Sequence, residues 1–435
     1  MSGRPRVLLV GRHFWPHGAI DAAGFLYQTA IGLHRYGIHV EVMTPRYASS
    51  WPEQLAVREI AVHRPAAAPR SDWSLGRYVR HLTGWLRERA PSYDVMLVDS
   101  IREESTAVVE AGRLTDCGTV LRFGGWGRHS DWSWWQRSRA ARKCATAGRG
   151  ADAVISKCAA SHRALLGEGY LPSQIHRIDQ GYLPGISPTS ATRIAARKTL
   201  AAVNRDLICS DDSVVLVCCG RMTRESGINM LAQSARTLVR RYPNLKLWLI
   251  GDGDHRDSIH DLLRSDGVKS FVAMPGSFCD LEDVFAAADV YVQTDEDGLD
   301  CFLPAAISAE LPVVSLDTES TRSVVMGSAS LATPTGLSQA GISEIASGVN
   351  WFVSDVPKSL RVVMREVLDD LAASRQRAAN LRKTLLRSRP QSESLQRYVN
   401  LVQQIHEQKS SRDRRRATNG PPRPLTGDSS VEAAT

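Results

Sequence analysis

The residues most suited to chemistry stand where predicted strands end and helices begin. Gly220-Arg221 follows the apolar run Ser213–Cys219. An anion bound there would meet free backbone N–H groups, a helix dipole and a guanidinium together. Gly251-Asp252-Gly253 follows Leu245–Ile250, and its glycines let a ligand approach the backbone closely. The alternative for both is an ordinary turn with solvated side chains. Together they predict a site for a phosphorylated ligand.

An acidic segment offers a second kind of chemistry. Asp295-Glu296-Asp297-Gly298 comes shortly after the predicted strand Val290–Val292 and leads into a predicted helix at Leu303–Ala309. Carboxylates at the carboxyl end of a strand accept hydrogen bonds from sugar hydroxyls. The alternative is a solvated acidic turn. We interpret the segment as a sugar-binding loop.

The first half of the chain supplies one further polar loop, Arg122–His129. Its glycines, Gly125 among them, permit close backbone approach. Trp126 has a ring that stacks on a sugar face, and His129 or Asp131 is suited to act as an acceptor contact or a base. The alternative for the histidine is a solvated side chain. This loop is the predicted acceptor side of the site.

Short apolar, β-branched runs alternate with helical patterns along both halves of the chain, as in parallel sheets buried on both faces. In the first half these runs are Val7–Val10, Val40–Thr44, Val95–Val98, Thr119–Phe123 and Ala153–Ile155. In the second half they are Ser213–Cys219, Leu245–Ile250, Val272–Met274, Val290–Val292 and Val313–Leu316. We therefore predict two doubly wound α/β domains, with a ligand at the carboxyl ends of the strands.

The helical patterns complete this organisation. Helices are predicted from about Gly24 to Tyr36, over Ile228–Arg240, and from Val356 to about Glu407 with a break near Pro390. The predicted division of the chain begins with an N-terminal Rossmann-like domain (residues 1–183), a linker (184–212) and a C-terminal Rossmann-like domain (213–372). Helices that pack back on the first domain (373–408) and a disordered basic tail (409–435) follow.

The order and spacing of these segments resemble the GT-B nucleotide-sugar glycosyltransferases of the large retaining family, glycosyl transferases group 1. In the second half the resemblance lies in the Gly220-Arg221 strand, Leu245–Gly253, Phe285–Val292, Asp297 through Val314, and Glu344–Asn350. In the first half it is looser, at Ala151–Ser156 and Ile178–Gly181. It covers roughly Arg6 to Glu407. It implies two Rossmann-like domains facing across a cleft, with a C-terminal helix returning to the N-terminal domain.

The resemblance implies a donor site in which an Arg and a Lys hold the diphosphate. Arg221 matches that Arg, beside Gly220, and Gly251 and Gly253 belong to the same donor-binding set. The Lys position falls on Ser226, where Arg224 is a nearby substitute. The family's glycine pair in the first domain falls near Ile20-Asp21, flanked by Gly18 and Gly24, and Gly18 is assigned to the acceptor side.

The resemblance also implies two Glu residues, one on the donor sugar and one on the ribose. The first position falls on Asp297, one methylene shorter, and Gly298 is kept. The second falls on Ala305, which has no carboxylate. Glu310 lies too far round the helix to replace it.

The resulting hypothesis is a hexosyl-type transferase that moves a sugar from a nucleotide diphosphate sugar to a glycan, lipid-linked or small-molecule acceptor. Arg221, Asp297 and His129 are its catalytic candidates. The resemblance implies retention at the anomeric carbon, with no metal and no cofactor besides the donor. The alternative, prompted by Ser226 and Ala305, is a catalytically degenerate relative that binds a nucleotide sugar or glycan as a scaffold subunit.

Composition limits the partners and the compartment. The net charge is +8, and the eight scattered cysteines indicate neither a zinc site nor a disulfide framework, which favours the cytoplasm. The basic residues match no nucleic-acid module, so nucleic acid is not an expected partner. Trp132–Lys143 and Leu75–Arg87 combine tryptophan with basic residues, which predicts peripheral contact with the inner face of a membrane. The alternative is an ordinary surface helix.

Overall fold

Two parallel sheets organise the chain. The computed structural model describes residues 4–17, 20–185, 189–278, 280–327, 339–354 and 356–418. The first sheet has eight strands and the second has six. Helices cover both faces of each sheet, which confirms the predicted doubly wound α/β architecture.

The first sheet follows the order β3-β4-β2-β1-β5-β6-β7-β8 and is parallel except for the β3–β4 pair. Its strands are β1 (Arg6–Val10), β2 (His39–Met43), β3 (Gln54–Val57), β4 (Ile60–His63), β5 (Val95–Val98), β6 (Gly118–Arg122), β7 (Ala153–Ser156) and β8 (Ile175–Arg177). All five predicted strands are present, within one or two residues at each end. The edge strands β3 and β8, and β4 beside β3, were not predicted.

The second sheet follows the order β11-β10-β9-β12-β13-β14, and all its pairs are parallel. Its strands are β9 (Val214–Cys219), β10 (Leu245–Ile250), β11 (Val272–Gly276), β12 (Val290–Gln293), β13 (Val313–Leu316) and β14 (Val349–Phe352). The prediction of parallel strands joined by helices is confirmed here, with β14 as an additional edge strand.

Helices flank both sheets. Those of the first domain are α1 (Asp21–Arg35), α2 (Asp72–Arg89), α3 (Glu103–Thr115), α4 (Asp131–Trp135), α5 (Arg139–Gly148) and α6 (Ala159–Gly167). Those that follow are α7 (Ser190–Val203), α8 (Ile228–Arg241), α9 (Arg256–Ser265), α10 (Glu282–Ala287), α11 (Phe302–Ser308), α12 (Glu319–Met326), α13 (Gln339–Gly348) and α14 (Pro357–Asp369). Within the predicted linker, α7 packs against the second sheet's core through Ala196 and Leu200.

The last two helices connect the second domain back to the first. They are α15 (Leu371–Ser388) and α16 (Gln391–Thr418). Tyr398, Val402 and Ile405 of α16 are buried in the apolar core of the first sheet, so the predicted return of the C-terminal helix is confirmed. The prediction that the helix before it also packs on the first domain is wrong, because Leu381 and Leu385 of α15 are buried in the core of the second domain. The prediction of a disordered tail from residue 409 is wrong at its start. There α16 continues to Thr418, and Lys409 forms an ion pair with Asp152 at 3.1 Å.

The strand orders determine where a ligand can bind. In each sheet the order reverses direction beside a central strand, between β1 and β5 in the first and between β9 and β12 in the second. Loops at the carboxyl ends of such strands diverge and leave a crevice, where α/β proteins bind ligands. The loops after β9 and β12 carry the residues predicted for the donor site.

Candidate active site

The three predicted catalytic side chains meet in the cleft between the domains. Arg221 Nε donates to Asp297 Oδ2 at 3.0 Å, and Arg221 Nη2 lies 3.4 Å from His129 Nδ1. Each residue comes from a different loop, and His129 belongs to the other domain. The Arg221 side chain remains 42% exposed, so a ligand in the cleft can reach it.

The charges of this cluster act on one another. Asp297 raises the pKa of Arg221, which stays a cation. Burial lowers the pKa of His129, and the neighbouring Arg221 and Arg128 lower it further against the opposing effect of Asp297. The imidazole is therefore neutral at neutral pH. A neutral imidazole can accept a proton, which is the property required of a base.

The glycines after β9 and β10 have a structural use. At Gly251 a Cβ would collide with the carbonyl of Gly220, and at Gly253 with the carbonyl of Met222. The two loops are hydrogen-bonded directly, with Met222 N–H donating to the Asp252 carbonyl at 2.9 Å. Packing between the two loops therefore requires glycine at both positions, and the approach of a ligand to their backbone stays a prediction.

Asp295 connects the two loops of the donor side. Its Oδ2 accepts from the backbone N–H of Gly227 at 2.8 Å, and its Oδ1 accepts from the backbone N–H of Asp297, also at 2.8 Å. The Gly227 N–H is available because α8 begins only at Ile228. Gln293 Nε2 donates to the carbonyl of Asp297. The segment from Asp295 to Gly298 is thus held in one conformation and is not a freely solvated turn.

Arg128 joins the first domain to this acidic segment. Its Nη2 donates to the Glu225 carbonyl at 2.7 Å and lies 3.3 Å from Asp295 Oδ2, while its backbone N–H donates to Glu296 Oε2 at 3.1 Å. Its Nε lies 3.2 Å from His129 Nε2, so the imidazole stands between two guanidinium groups. Arg128 was not among the residues predicted from the sequence. Its position beside His129 in a glycine-rich loop was the available signal.

Asp295 also lines a polar cavity of about 330 Å³. Arg224 and Ser226 line it, together with Arg128 from the first domain. The predicted donor residues are thus divided between two adjoining places. Arg221, Asp297 and Gly298 lie at the cluster with His129, whereas Arg224 and Ser226 lie at the cavity.

The residues of the predicted acceptor loop mainly hold the loop in its conformation. Asp131 is fully buried and accepts from the N–H groups of Ile101 and Gly124, each at 2.7 Å, and from Arg102 Nε at 2.9 Å. Gly125 has φ +62° and turns the chain where a Cβ would collide with the His129 carbonyl. The prediction that Asp131 contacts the acceptor is therefore wrong, since no face of its carboxylate is open.

Trp126 is also placed differently from the prediction. It is 4% exposed and packs in the core of the second domain, so its ring is not available to a sugar. Its Nε1 donates to Asp300 Oδ1 at 2.7 Å. The predicted stacking on a sugar is wrong because the ring crosses the domain boundary. Gly18 lies outside the described residues.

The family's second Glu corresponds to Ala305, so this position has no carboxylate. Ala305 is partly buried against the second core. Glu310 pairs with Arg382 at 3.1 Å. It lies beyond the end of α11 at Ser308 and has φ +62°, so the prediction that it stands on that helix is wrong. No described residue range contains a group of three or more His, Cys, Asp or Glu arranged to hold a metal ion. Among the same residues, no helix has the length and apolar character needed to cross a membrane.

Comparison with known proteins agrees with this architecture. Residues 213–355 match the family described as Glycosyl transferases group 1, and residues 23–181 match the Glycosyl transferase 4-like domain. The chain thus carries the domains of two glycosyl transferase families, one in each half. A curated relative is the lipopolysaccharide core biosynthesis glycosyltransferase LpsE of Rhizobium meliloti, 35% identical over 83 residues, which are 19% of this chain and 23% of the relative. The chain thus spans about a quarter of the length of the curated relatives it matches.

Solved structures show the GT-B fold over nearly the whole chain. Sucrose-phosphate synthase from Thermosynechococcus elongatus has a TM-score of 0.65 at 16% identity, covering 92% of this chain and 99% of its own. HepE from Anabaena, in complex with UDP-glucose, has a TM-score of 0.64 at 16% identity, covering 94% and 100%. At these identities the likeness establishes the fold. The expected GT-B architecture is therefore confirmed.

Proposed function

We propose that the protein is a glycosyltransferase that moves a hexosyl group from a nucleotide diphosphate sugar to an acceptor bound in the cleft. The observation that carries the proposal is the meeting of Arg221, Asp297 and His129, with Arg221 half-exposed. Arg221 stabilises the negative charge on the departing diphosphate. Asp297 orients the donor sugar through its hydroxyl groups, and His129 contacts the acceptor from the opposite domain.

Two neighbouring arginines support this assignment where the family's Lys is absent. Arg128 and Arg224 both line the cavity beside Ser226, one from each domain. Losing one charge-assisted contact to a diphosphate costs about 1.5–3 kcal/mol, so a second guanidinium near Ser226 offsets much of that loss. The donor complex in turn joins the domains, because Arg128 belongs to the first and Arg224 to the second.

The test is replacement of Arg221 by Ala in the purified full-length chain. Loss of the guanidinium is expected to lower transfer from the accepted nucleotide sugar by roughly 100-fold or more, because the leaving diphosphate loses its preorganised cation. Transfer is measured as release of the nucleoside diphosphate in the presence of acceptor. Arg240→Ala, an exposed arginine on α8, is the matched control and is expected to retain wild-type turnover. Unchanged turnover in Arg221→Ala would disprove the proposal.

A second candidate function is a catalytically degenerate subunit that binds a nucleotide sugar or glycan. Ser226 and Ala305 favour it, because neither supplies the charge that the family resemblance implies. Calorimetric titration of the wild-type chain with a panel of nucleotide sugars separates the two functions. Binding without turnover for every donor and acceptor supports the scaffold, and turnover supports the transferase. The anomer released, identified by NMR, tests the retention that the resemblance implies.

We further propose that the enzyme works without a metal, in the cytoplasm, at an anionic membrane surface. The described cysteines are all free thiols, as in a reducing compartment. Trp132 on α4 is 47% exposed, and α5 displays Arg139, Arg142 and Lys143 on its solvent face. An exposed indole beside several cations is the composition of membrane-interface contacts. Such a surface beside the His129 loop would present the cleft to a lipid-linked acceptor.

Vesicle sedimentation tests the membrane proposal. The protein is expected to bind vesicles of phosphatidylglycerol and phosphatidylcholine but not of phosphatidylcholine alone. Arg139→Glu with Arg142→Glu is expected to weaken this binding at least 10-fold, at roughly 1 kcal/mol per cation removed. Arg240→Glu on the second domain is the charge-matched control. Equal binding to neutral vesicles, or no loss in the double variant, would contradict the proposal.

A further inference from the structure

Each domain inserts one buried carboxylate into the other domain. Asp300, from the loop after β12, is 2% exposed and inserts into the first domain. There its Oδ1 accepts from Arg122 Nη2 at 2.6 Å, and both its oxygens accept from Lys157 Nζ at 2.9 and 3.0 Å. Trp126 Nε1 completes the set at 2.7 Å. Each of these donors is itself buried.

Asp21 makes the reciprocal connection. It is the first residue of α1, is 6% exposed, and points into the second domain. Its Oδ2 accepts from the backbone N–H of Asp300 at 2.7 Å, and its Oδ1 accepts from Cys301 N–H at 2.6 Å and Phe302 N–H at 3.2 Å. A carboxylate of the first domain thus satisfies the free N–H groups at the start of α11.

Arg122 and Lys157 are the cations of this network, whereas burial and the nearby Asp300 raise the pKa of Asp21 to about 8. Burial alone would raise the pKa of Asp300, but Arg122 and Lys157 lower it to about 2. A second carboxylate, Asp99, bonds the other face of Arg122 at 2.9 Å. If the domains separated here, Asp300 would lose its hydrogen bonds to Arg122, Lys157 and Trp126, and Asp21 would lose its three bonds to backbone N–H groups. Water would hydrate the separated charges, so the network opposes separation through the number of hydrogen bonds that break together.

The network also determines where His129 stands. Asp300 lies three residues after Asp297, and Trp126 lies three residues before His129, whose N–H donates to the Trp126 carbonyl at 2.8 Å. The Asp300–Trp126 bond therefore fixes the loop of one domain against the loop of the other. The catalytic candidates on these two loops are thus brought together by buried residues of both domains.

We propose that Asp21 and Asp300 form an interdomain clasp that holds the cleft closed in the absence of ligand and positions His129 opposite Arg221 and Asp297. The positioning role rests on the proposed function, whereas the closure does not. The clasp is defined by Asp21, Asp300, Arg122, Lys157 and Trp126. Asp21 and Asp300 are positioning residues, since they act on His129 through the loop that carries it.

Hydrogen exchange measured by mass spectrometry on the full chain tests the closure. In the ligand-free wild type, the amides of residues 300–302 are expected to exchange slowly, with less than a twofold change when UDP-glucose is added. Asp300→Asn is expected to accelerate exchange at least tenfold both there and in residues 124–130, because the two segments separate. Small-angle scattering of the same variant is expected to show a larger radius of gyration.

Two further variants keep the test informative if Asp300→Asn folds poorly. The double variant Asp300→Asn with Lys157→Met removes one carboxylate and one ammonium, so no additional cation is left unpaired. It is expected to fold and still show accelerated exchange in both segments. Asp369→Asn, in an exposed ion pair with Arg241, is the control and is expected to exchange like the wild type. The clasp is overturned if the folded double variant retains wild-type exchange.

The clasp is also overturned if residues 300–302 of the wild type exchange rapidly and become protected only with UDP-glucose, since closure would then depend on ligand. Turnover separates this proposal from the preceding one. The double variant is expected to lose at least tenfold in kcat with little change in the KM for the donor, because Arg221 and Asp297 remain together on the second domain. An unchanged kcat would overturn the positioning role. Loss of turnover in Arg221→Ala with unchanged exchange supports the proposed function independently.

Discussion

Replacing Asp297 by Asn is expected to lower the rate of sugar transfer by roughly 100- to 1000-fold, the usual effect of removing one preorganised electrostatic contact. Asp297 holds Arg221 Nε at 3.0 Å and carries the carboxylate nearest the predicted sugar position. The Asn side chain has similar size but no charge, so it loses both the anion that fixes Arg221 and one strong acceptor for a sugar hydroxyl. The measurement is steady-state transfer by the purified variant.

Binding of the free nucleoside diphosphate distinguishes the role of Asp297 from simple damage to the site. Its affinity is expected to fall less than about threefold, or to rise slightly, because a carboxylate that competes for Arg221 has been removed. Asp297→Glu restores the residue that the family resemblance implies and is expected to recover most of the turnover. Full turnover in Asp297→Asn would show that the donor sugar is held elsewhere in the cleft.

Much of the fold was predictable because most strands are buried on both faces. A strand such as β9 or β13 must be a short apolar run, whatever its neighbours, and that pattern is visible in one sequence. The edge strands carry less of this signal. Gln54–Val57 (QLAV) and Ile175–Arg177 (IHR) are only four and three residues long, and neither is a continuous apolar run or long enough to show a periodicity. Their pairing depends on the strands beside them.

The candidate site was predictable at the level of loops but not of side-chain direction. Doubly wound topology places the loops after β9 and β12 at the ligand-binding edge of the sheet, and the family resemblance assigned Arg221 and Asp297 on these loops to the donor. Composition could not show that Trp126 and Asp131 point into protein, because an aromatic or acidic residue in a glycine-rich loop has the same sequence pattern in either orientation. Asp21 and Asp300 are separated by most of the chain, so their contact is visible only in three dimensions.

The ion pairs of the cleft determine how the diphosphate of a donor can bind. Arg221 is paired with Asp297, Arg128 with Asp295, and Lys157 with Asp300. A diphosphate therefore enters a site whose cations already have carboxylate partners, and it must share or displace them. The guanidinium groups of Arg221 and Arg128 are half-exposed, at 42% and 48%, so a diphosphate can bind their open faces while the largely buried Asp297 and Asp295 stay in place. Lys157 is fully buried and remains with Asp300. Donor recognition consequently depends on the two exposed arginines.

The largest effect on stability is expected from Asp131→Ala, a loss of about 3–5 kcal/mol in the free energy of unfolding, as for breaking a buried charged contact. The substitution leaves the N–H groups of Ile101 and Gly124 buried without an acceptor. It also removes the ionic partner of Arg102, which donates to the His129 carbonyl at 2.9 Å. Chemical denaturation followed by circular dichroism measures the change.

Two comparisons make the Asp131 prediction specific. Asp131→Asn keeps one oxygen that can still accept from the two backbone N–H groups, but its amide group would face the Arg102 guanidinium, so an intermediate loss of about 1–3 kcal/mol is expected. Asp257→Ala, at an exposed position of α9, removes a carboxylate without buried partners and is expected to change stability by less than about 0.5 kcal/mol. Equal stability of all three variants would show that Asp131 does not hold the loop. Because that loop carries His129 and Trp126, its loosening is expected to reduce turnover as well, even at temperatures where the variant remains folded.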